Sequence, residues 1–375
     1  MRRIRRITLQ NFRTYGFLDF SLPGKSVALT GANGVGKTNL IEALSLMSPG
    51  RGMRRAKLDE IAQQGSSGDW GIGLSLKEDD NAEAVQLALQ IRHDAPTKKL
   101  CRVNGDPVPT IGRFAEYIRF TWLTPAQDRL FMEGAAERRR FLDRMVLAQN
   151  TAHAQVSSAY EKAMRQRQAI LADPSDQDPQ LLDVLEGQMA QNAVAIAVGR
   201  SHMADILREG YKALHEGAFP NAQISLQGTL EEALAKEGAE EVQAKYQQNL
   251  HGARRRDAQA GRCLLGPHRS DLFVMHDQKQ QPARLCSTGE QKALLIGLVL
   301  AHAAALHKQS EIPLILLLDE VAAHLDEDRR AALADILDSL DCQAFMTGTD
   351  ASLFTPWGVR ATHLQVQQGG DVVEA

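Results

Sequence analysis

Eight consecutive residues, Gly31-Ala32-Asn33-Gly34-Val35-Gly36-Lys37-Thr38, have the types and spacing needed to hold a polyphosphate. They fit G-x-x-x-x-G-K-[ST] in the context that makes the pattern credible. An apolar run, Ser26 to Thr30, precedes them, and a segment with Leu40, Leu44 and Met47 on one helical stripe follows. Glycines let backbone N–H groups curl around phosphate oxygens. Lys37 can then reach the β- and γ-oxygens, and the Thr38 hydroxyl can complete the coordination of Mg²⁺.

A second group lies near the other end. Five apolar residues, Leu314 to Leu318, run into Asp319-Glu320. Asp319 is placed to hold Mg²⁺ through water, and Glu320 to orient or deprotonate an attacking water. A third group, Ser287-Thr288-Gly289-Glu290-Gln291, heads the apolar stretch Ala293 to Leu300. A serine hydroxyl, a glycine N–H and a helix N-terminus make an anion site. Taken alone it also reads as an ordinary helix cap, with a glutamate after the serine. Its order decides for function: Ser287 stands 32 residues before Asp319, with an apolar helix between. The ligand it implies is a γ-phosphate bound by a second copy of the chain. Two short loops follow. Ala323-His324-Leu325-Asp326 offers Leu325 and Asp326 as a coupling between apposed sites. Thr347-Gly348-Thr349-Asp350 offers Thr349 as a γ-phosphate sensor. Each also reads as plain solvated loop.

The elements that must position these groups follow from patterning. Ile7 and Leu9 alternate in a strand, Phe17 to Phe20 make another, and Pro23-Gly24-Lys25 turns the chain into Ser26 to Thr30. Trp70 to Val103 reads as short antiparallel strands, with Asn104-Gly105 as a hairpin turn. Glu137 to Ala169 predicts one long helix, interrupted at Asp173-Pro174-Ser175-Asp176. A second long helix carries Leu185, Met189, Ala193, Ile196, Met203, Leu207 and Tyr211 on one stripe. Ile224 to Leu226 predicts a brief non-helical interlude, and Glu231 to Gln248 more helix. Leu314 to Leu318 and Ala344 to Thr347 predict buried central strands, and the tail at 367–371 is expected to fray.

The expected fold is therefore α/β: an ATPase head of the P-loop type with an antiparallel β subdomain and an inserted α-helical lobe. Its expected domains are residues 1–125, the first half of the head; 126–255, the helical lobe; and 256–375, the second half of the head.

With 375 residues, 43 basic and 46 acidic side chains and a net charge of -3, the chain does not advertise a nucleic-acid ligand globally. Any such surface is local. The candidates are Arg51, Arg54, Arg55 and Lys57, and Arg138, Arg139 and Arg140; Arg2, Arg3, Arg5 and Arg6 and Arg254 to Arg256 are further clusters. Four cysteines without a Cys-x-x-Cys pair point to reduced thiols. No run of membrane-span length and no export signal is read, so a cytoplasmic protein is expected.

These residues resemble the RecF family of bacterial recombination-repair proteins, relatives of the SMC ATPases within the ABC class. The resemblance spans essentially the whole chain: Leu9 to Tyr15, Gly31 to Asn39, Gly50-Arg51-Gly52, Pro125 to Asp128, Arg138 to Asp143, and Gly266-Pro267-His268-Arg269-Ser270-Asp271, its most specific piece. The signature, Asp319-Glu320 and Leu325-Asp326 follow in the expected order. It implies that Arg13 and Asn39 join the nucleotide site and that Gln127 stands at the place of a metal-binding glutamine loop. It also implies ATP and Mg²⁺ as ligands, slow hydrolysis used as a switch, and ATP-dependent homodimers. Its implied function is binding to gapped DNA and to junctions of single and double strands, RecA loading with RecR and RecO, and support of the SOS response. Glu320 stands where many members have aspartate, Ser270 replaces a usual aspartate, and Gln127-Asp128 replaces Glu-Asp. Two other readings share the motifs. A transport ATPase subunit is more compact than a chain in which Lys37 and Asp319 are 282 positions apart, and an SMC-like chromosome organiser needs far longer helical arms.

Overall fold

The structure is a computed structural model and describes residues 1–173, 178–214 and 217–375. The chain forms two compact units: Met1–Asp128 with Gly210–Asn221 and Ser287–Ala375, and Arg129–Glu209 with Ala222–Cys286.

In the first unit, alternation produces β1 (Arg3–Phe12), which buries Ile4, Ile7, Leu9 and Phe12, and its hairpin partner β2 (Tyr15–Ser21). The apolar run Ser26–Thr30 becomes β3, buried at every residue, and α1 (Lys37–Leu46) starts after a loop of six residues. Then β4 (Trp70–Lys77), β5 (Val85–Arg92), β6 (Ala95–Val103) and β7 (Asp106–Val108) extend the hairpin into an antiparallel sheet of order β2-β1-β4-β5-β6-β7. Asn104-Gly105 makes the β6–β7 turn, as its residues predict. β8 (Arg119–Leu123) ends this stretch.

The second unit opens with α2 (Ala135–Gln149) and α3 (Ala152–Ala172), where one continuous helix was expected. The break falls at Asn150, whose backbone is extended and whose Oδ1 accepts from the Ala152 N–H at 3.1 Å. The side chain thus satisfies an N–H at the start of a new helix. The predicted interruption at residues 174–176 lies outside the described residues. In α4 (Pro179–Ala213) the whole expected stripe, from Leu185 to Tyr211, is buried. The interlude is a full strand, β9 (Ala222–Gln227). It is followed by α5 (Thr229–Leu234), α6 (Ala239–Ala260), β10 (Asp271–His276) and β11 (Gln281–Pro282), in a sheet of order β11-β10-β9. Deep in the helices, Arg167 bonds Glu186 at 2.8 Å, Asp257 at 2.6 Å and the Leu250 carbonyl at 2.7 Å, so each buried charge has partners.

The expected boundary at residue 255 therefore moves to Cys286. β10 pairs along its length with β9, and this places residues 256–286 in the second unit. Residues 210–221 conversely belong to the first.

The first unit resumes with α7 (Thr288–Gln309), β12 (Leu314–Leu318), α8 (Glu327–Ser339), β13 (Ala344–Thr347), β14 (Ala361–Val366) and β15 (Val372–Glu374). They join β3 and β8 in a sheet of order β15-β14-β3-β13-β12-β8, parallel throughout except at β15. The tail expected to fray instead closes a hairpin: the Gln367 N–H donates to the Asp371 carbonyl at 2.8 Å, and β15 pairs with β14. Among the described residues α7 is the one helix long and apolar enough to cross a membrane, and 83% of that stretch is buried inside the protein.

Candidate active site

Three neighbouring parallel strands, β3, β13 and β12, end at one edge of the sheet and bring together the residues expected to handle phosphate. Parallel sheets place ligands at this carboxyl edge. Residues 31–36 leave β3 as a loop, with Gly31 at φ 139° and Gly36 at φ 118°. A Cβ on Gly31 would lie 2.4 Å from the Val366 carbonyl oxygen, a backbone atom that cannot step aside, so this position takes no side chain. The Tyr15 hydroxyl donates to the Gly36 carbonyl at 3.0 Å and pins the other end of the loop.

Lys37 lies under the loop. Its Nζ donates to the Gly31 and Ala32 carbonyls at 2.7 Å each. Burial lowers its pKa, opposed by the negative charges of Glu320 and Asp319. The ammonium is thus held at the mouth of the phosphate loop by weak acceptors, which phosphate oxygens replace with full charge.

Asp319 is 7% exposed and its Oδ1 accepts two hydroxyls, Thr38 at 3.0 Å and Thr347 at 2.7 Å. Burial is the largest influence on this carboxyl and raises its pKa, against those two hydrogen bonds and the nearby Arg54 charge. The Thr347 Oγ1 also accepts from the Glu320 N–H at 2.9 Å. Glu320 itself has φ 54°, a left-handed backbone that a non-glycine residue adopts only when its surroundings hold it there. Thr347 thus fixes both acidic residues at once. The sensor read from the sequence was Thr349; the structure leaves Thr349 exposed and gives the Asp319 contact to Thr347, at the end of β13.

Other expected members fall differently. Asn39 Nδ2 donates to Thr14 Oγ1 at 3.1 Å, beside the loop. Arg13, expected at the nucleotide, is bidentate to Glu42 at 2.7 and 3.1 Å and donates to the Glu60 carbonyl at 2.9 Å. Glu42 is 1% exposed, and a buried carboxylate needs such a partner, so Arg13 serves the α1 helix here. Arg54, one of the DNA candidates, reaches the same carboxylate at 3.2 Å and Asn39 Oδ1 at 2.8 Å, which ties it to the phosphate-loop helix. Arg51, Arg55 and Lys57 are exposed. Gln127 does not join Thr38 and Asp319: its Oε1 accepts from the Thr124 N–H at 3.0 Å in a capping turn. Its neighbour Asp128 pairs with Lys292 of α7 at 2.7 Å.

Ser287 caps α7: the Glu290 N–H donates to Ser287 Oγ at 3.4 Å, and Ser287 N–H donates to Glu290 Oε2 at 3.0 Å. Ser287, Thr288 and Gly289 are exposed and Gln291 is buried; among the described residues no hydrogen bond joins Ser287, Thr288 or Gly289 to residues 31–38. Leu325 is buried, and Asp326 caps α8 by accepting from the Arg329 N–H at 2.8 Å. In the second unit, Arg138 is committed to Asp271 at 2.7 and 2.8 Å and is removed from the DNA candidates. Arg139 donates to the Ser270 carbonyl, and Arg140 pairs with Glu137.

A phosphate loop, an acid-ended strand beside it, a capped signature helix and an adjoining antiparallel sheet define an ATPase head of the ABC class. The family model described as RecF/RecN/SMC N terminal domain matches residues 3–369. The chain belongs to the RecF family of DNA replication and repair proteins. It is 46% identical to the RecF protein of Mesorhizobium japonicum over 367 residues, covering 98% of this chain and 96% of that one. It is likewise 46% identical to the RecF protein of Brucella suis biovar 1, covering 98% and 95%. A solved structure described as the recombination mediator protein RecF with ATPrS in the RecFOR pathway shares the fold, with a TM-score of 0.85 at 21% identity over 99% of this chain and 98% of that one. The chain is an ATP-binding ATPase of this family, and the transport-subunit and chromosome-organiser readings are set aside.

Removing the ammonium tests the phosphate loop. Lys37→Ala is expected to abolish ATP binding, because its ammonium is held at the loop where it would neutralise the β/γ oxygens. Equilibrium titration with labelled ATP measures it, and unchanged affinity would contradict the assignment.

Proposed function

We propose that this chain is an ATP-gated DNA-binding protein of recombinational gap repair and replication-fork maintenance. In this reading two copies close on DNA when each signature, Ser287 to Gln291, meets the γ-phosphate held by its partner, and slow hydrolysis resets them. The observation that carries it is the split arrangement of the site. Lys37, Thr38, Asp319 and Glu320 converge at one sheet edge, while Ser287, Thr288 and Gly289 stand exposed at a helix N-terminus and bond nothing in their own phosphate loop.

The donors near Lys37 fit Mg²⁺. Thr38 Oγ1 and Asp319 Oδ1 lie 3.0 Å apart, both are oxygens, and a carboxylate whose ionisation burial disfavours is one that a divalent cation stabilises. Thr38 and Asp319 would hold the ion, which would supply charge neutralisation at the β- and γ-phosphates. Glu320 then orients and deprotonates the attacking water, with Thr347 keeping the two carboxylates apart in role. Leu325 and Asp326 would couple the two sites of the dimer. Gapped DNA and junctions of single and double strands are the expected ligands, RecR and RecO the expected partners in RecA loading and the SOS response, and the cytoplasm the expected compartment. All of these follow the family.

ATP-dependent binding to gapped against intact duplex tests the reading. The expected result is retention on gapped DNA that requires ATP and is lost in Lys37→Ala. Equal binding to both duplexes, or binding indifferent to ATP, would contradict it.

A further inference from the structure

The Gly266-Pro267-His268-Arg269-Ser270-Asp271 segment takes no part in the nucleotide site, yet it organises a second charged centre within the second unit. Gly266 has φ 134°, and a Cβ there would lie 2.3 Å from the Tyr160 hydroxyl and 2.4 Å from that of Tyr246, so only glycine fits. The bare turn lets Tyr160 reach His268 Nδ1 at 2.8 Å, while His268 Nε2 lies 3.0 Å from the Cys263 carbonyl. A carbonyl only accepts, so Nε2 carries a proton, and the Tyr160 hydroxyl can donate to Nδ1 when the ring is neutral. Burial lowers the His268 pKa in the same sense. With the turn fixed, the Pro267 carbonyl accepts from Arg200 and the Ser270 carbonyl from Arg139, each at 2.6 Å.

These two guanidinium groups line a cavity of about 320 Å³ together with Arg140 and Arg165. Its charges do not balance. Asp143 is committed to Arg200 at 2.7 and 2.8 Å and faces His153 at 3.0 Å. Arg140 pairs with Glu137, and Asp271 is held by Arg138. The other acid on the lining, Glu161, is exposed. Arg139 and Arg165 have no carboxylate partner among the described residues, and the exposed Arg269 lies close enough to act on Arg139. Burial is the main cause that holds the Arg139 pKa below its ordinary value. Arg200 and Arg269 add to it, against the pull of Asp271 and Asp143. A half-buried cation so placed is stabilised by an anion that enters beside it.

We propose that this cavity seats a backbone phosphate of DNA, with Arg139 in its wall and Arg140 and Arg165 at its mouth. Planar guanidinium forks suit phosphate oxygens. Arg140, Arg165 and Arg269 are exposed, so the positive surface continues past a single phosphate, as a polyanion requires. Tyr160 on the lining is buried, and the His268 ring beside it is engaged with Tyr160 and the Cys263 carbonyl, so the contact positions the strand and reads no sequence. The inference rests on the DNA-binding reading above and adds where a strand is held.

The test is a salt series of gapped-DNA binding, with ATP, for the unaltered protein, for Arg165→Gln and for the Arg139→Gln, Arg165→Gln pair. Arg165 is exposed and has no hydrogen-bond or ion-pair partner among the described residues, so its substitution is expected to leave the fold intact. Loss of one phosphate contact is expected to weaken binding about eightfold at 0.1 M salt and to reduce the slope of log affinity against log salt by about 0.9. ATP binding should not change. Unaltered affinity and slope in both variants, while the unaltered protein binds DNA, would overturn this site alone. No DNA binding by the unaltered protein would overturn the function itself. Inorganic phosphate at constant ionic strength is the second probe: saturable phosphate binding that is abolished by Arg139→Gln and does not compete with gapped DNA would assign the cavity to free phosphate and overturn the DNA assignment.

Discussion

Glu320→Gln is expected to stop turnover and to hold the ATP-bound dimer together. A glutamine keeps the shape of the side chain and can still accept a hydrogen bond, but it is a poor proton acceptor. A positioned general base is worth about 10²–10⁴ in rate, and that is the loss expected in single-turnover hydrolysis. The surroundings of Glu320 make the substitution clean. Its backbone is fixed by the Thr347 hydroxyl at 2.9 Å, and Asp319 keeps its own hydroxyl donors, Thr38 and Thr347. ATP binding should therefore survive, and the lifetime of the dimer on DNA should rise because its release requires hydrolysis. Quench-flow measurement with one equivalent of ATP gives the rate, and wild-type turnover would remove Glu320 from the catalytic role.

The residues that converge at one sheet edge were legible because each lies at a strand end with a local pattern of its own. Five apolar residues before Asp319 predict a buried parallel strand, and the glycine spacing before Lys37 predicts a phosphate loop. The contact of Thr347 with Asp319 needed strand register. Leu318 pairs with Met346, so the next step along both strands sets Asp319 beside Thr347, and this information resides in neither segment alone. The role of Arg13 was hidden for a related reason. Its partner Glu42 sits on α1, where one acid on a helix reads as solvated surface until packing buries it. The limit of the second unit was misplaced because β9 and β10 are short strands separated by two helices, and their pairing leaves no local trace. The break between α2 and α3 did have a signal, an asparagine followed by threonine, which the strong helical composition on either side outweighed.

Ser287→Arg is expected to separate nucleotide binding from dimerisation. Ser287 caps α7 at its exposed start and contributes no hydrogen bond to its own phosphate loop among the described residues, so a single copy should bind ATP normally. In the composite site the serine hydroxyl and the first N–H groups of α7 approach a γ-phosphate at hydrogen-bond range. A bulky arginine there blocks that approach, and loss of the cap adds a smaller penalty of about 1 kcal/mol at the helix start. An equal mixture with Lys37→Ala subunits sharpens the argument. Each variant spoils both sites of its own homodimer, but a mixed dimer gathers both defects in one composite site and leaves the other intact. Partial recovery of ATP-dependent DNA retention is expected in the mixture. The most direct test is sedimentation of Ser287→Arg alone, with and without ATP, beside the unaltered protein. The account predicts a shift from monomer to dimer with ATP for the unaltered protein and none for Ser287→Arg, at equal ATP occupancy. Normal ATP-driven dimerisation of Ser287→Arg would contradict a site shared between two copies.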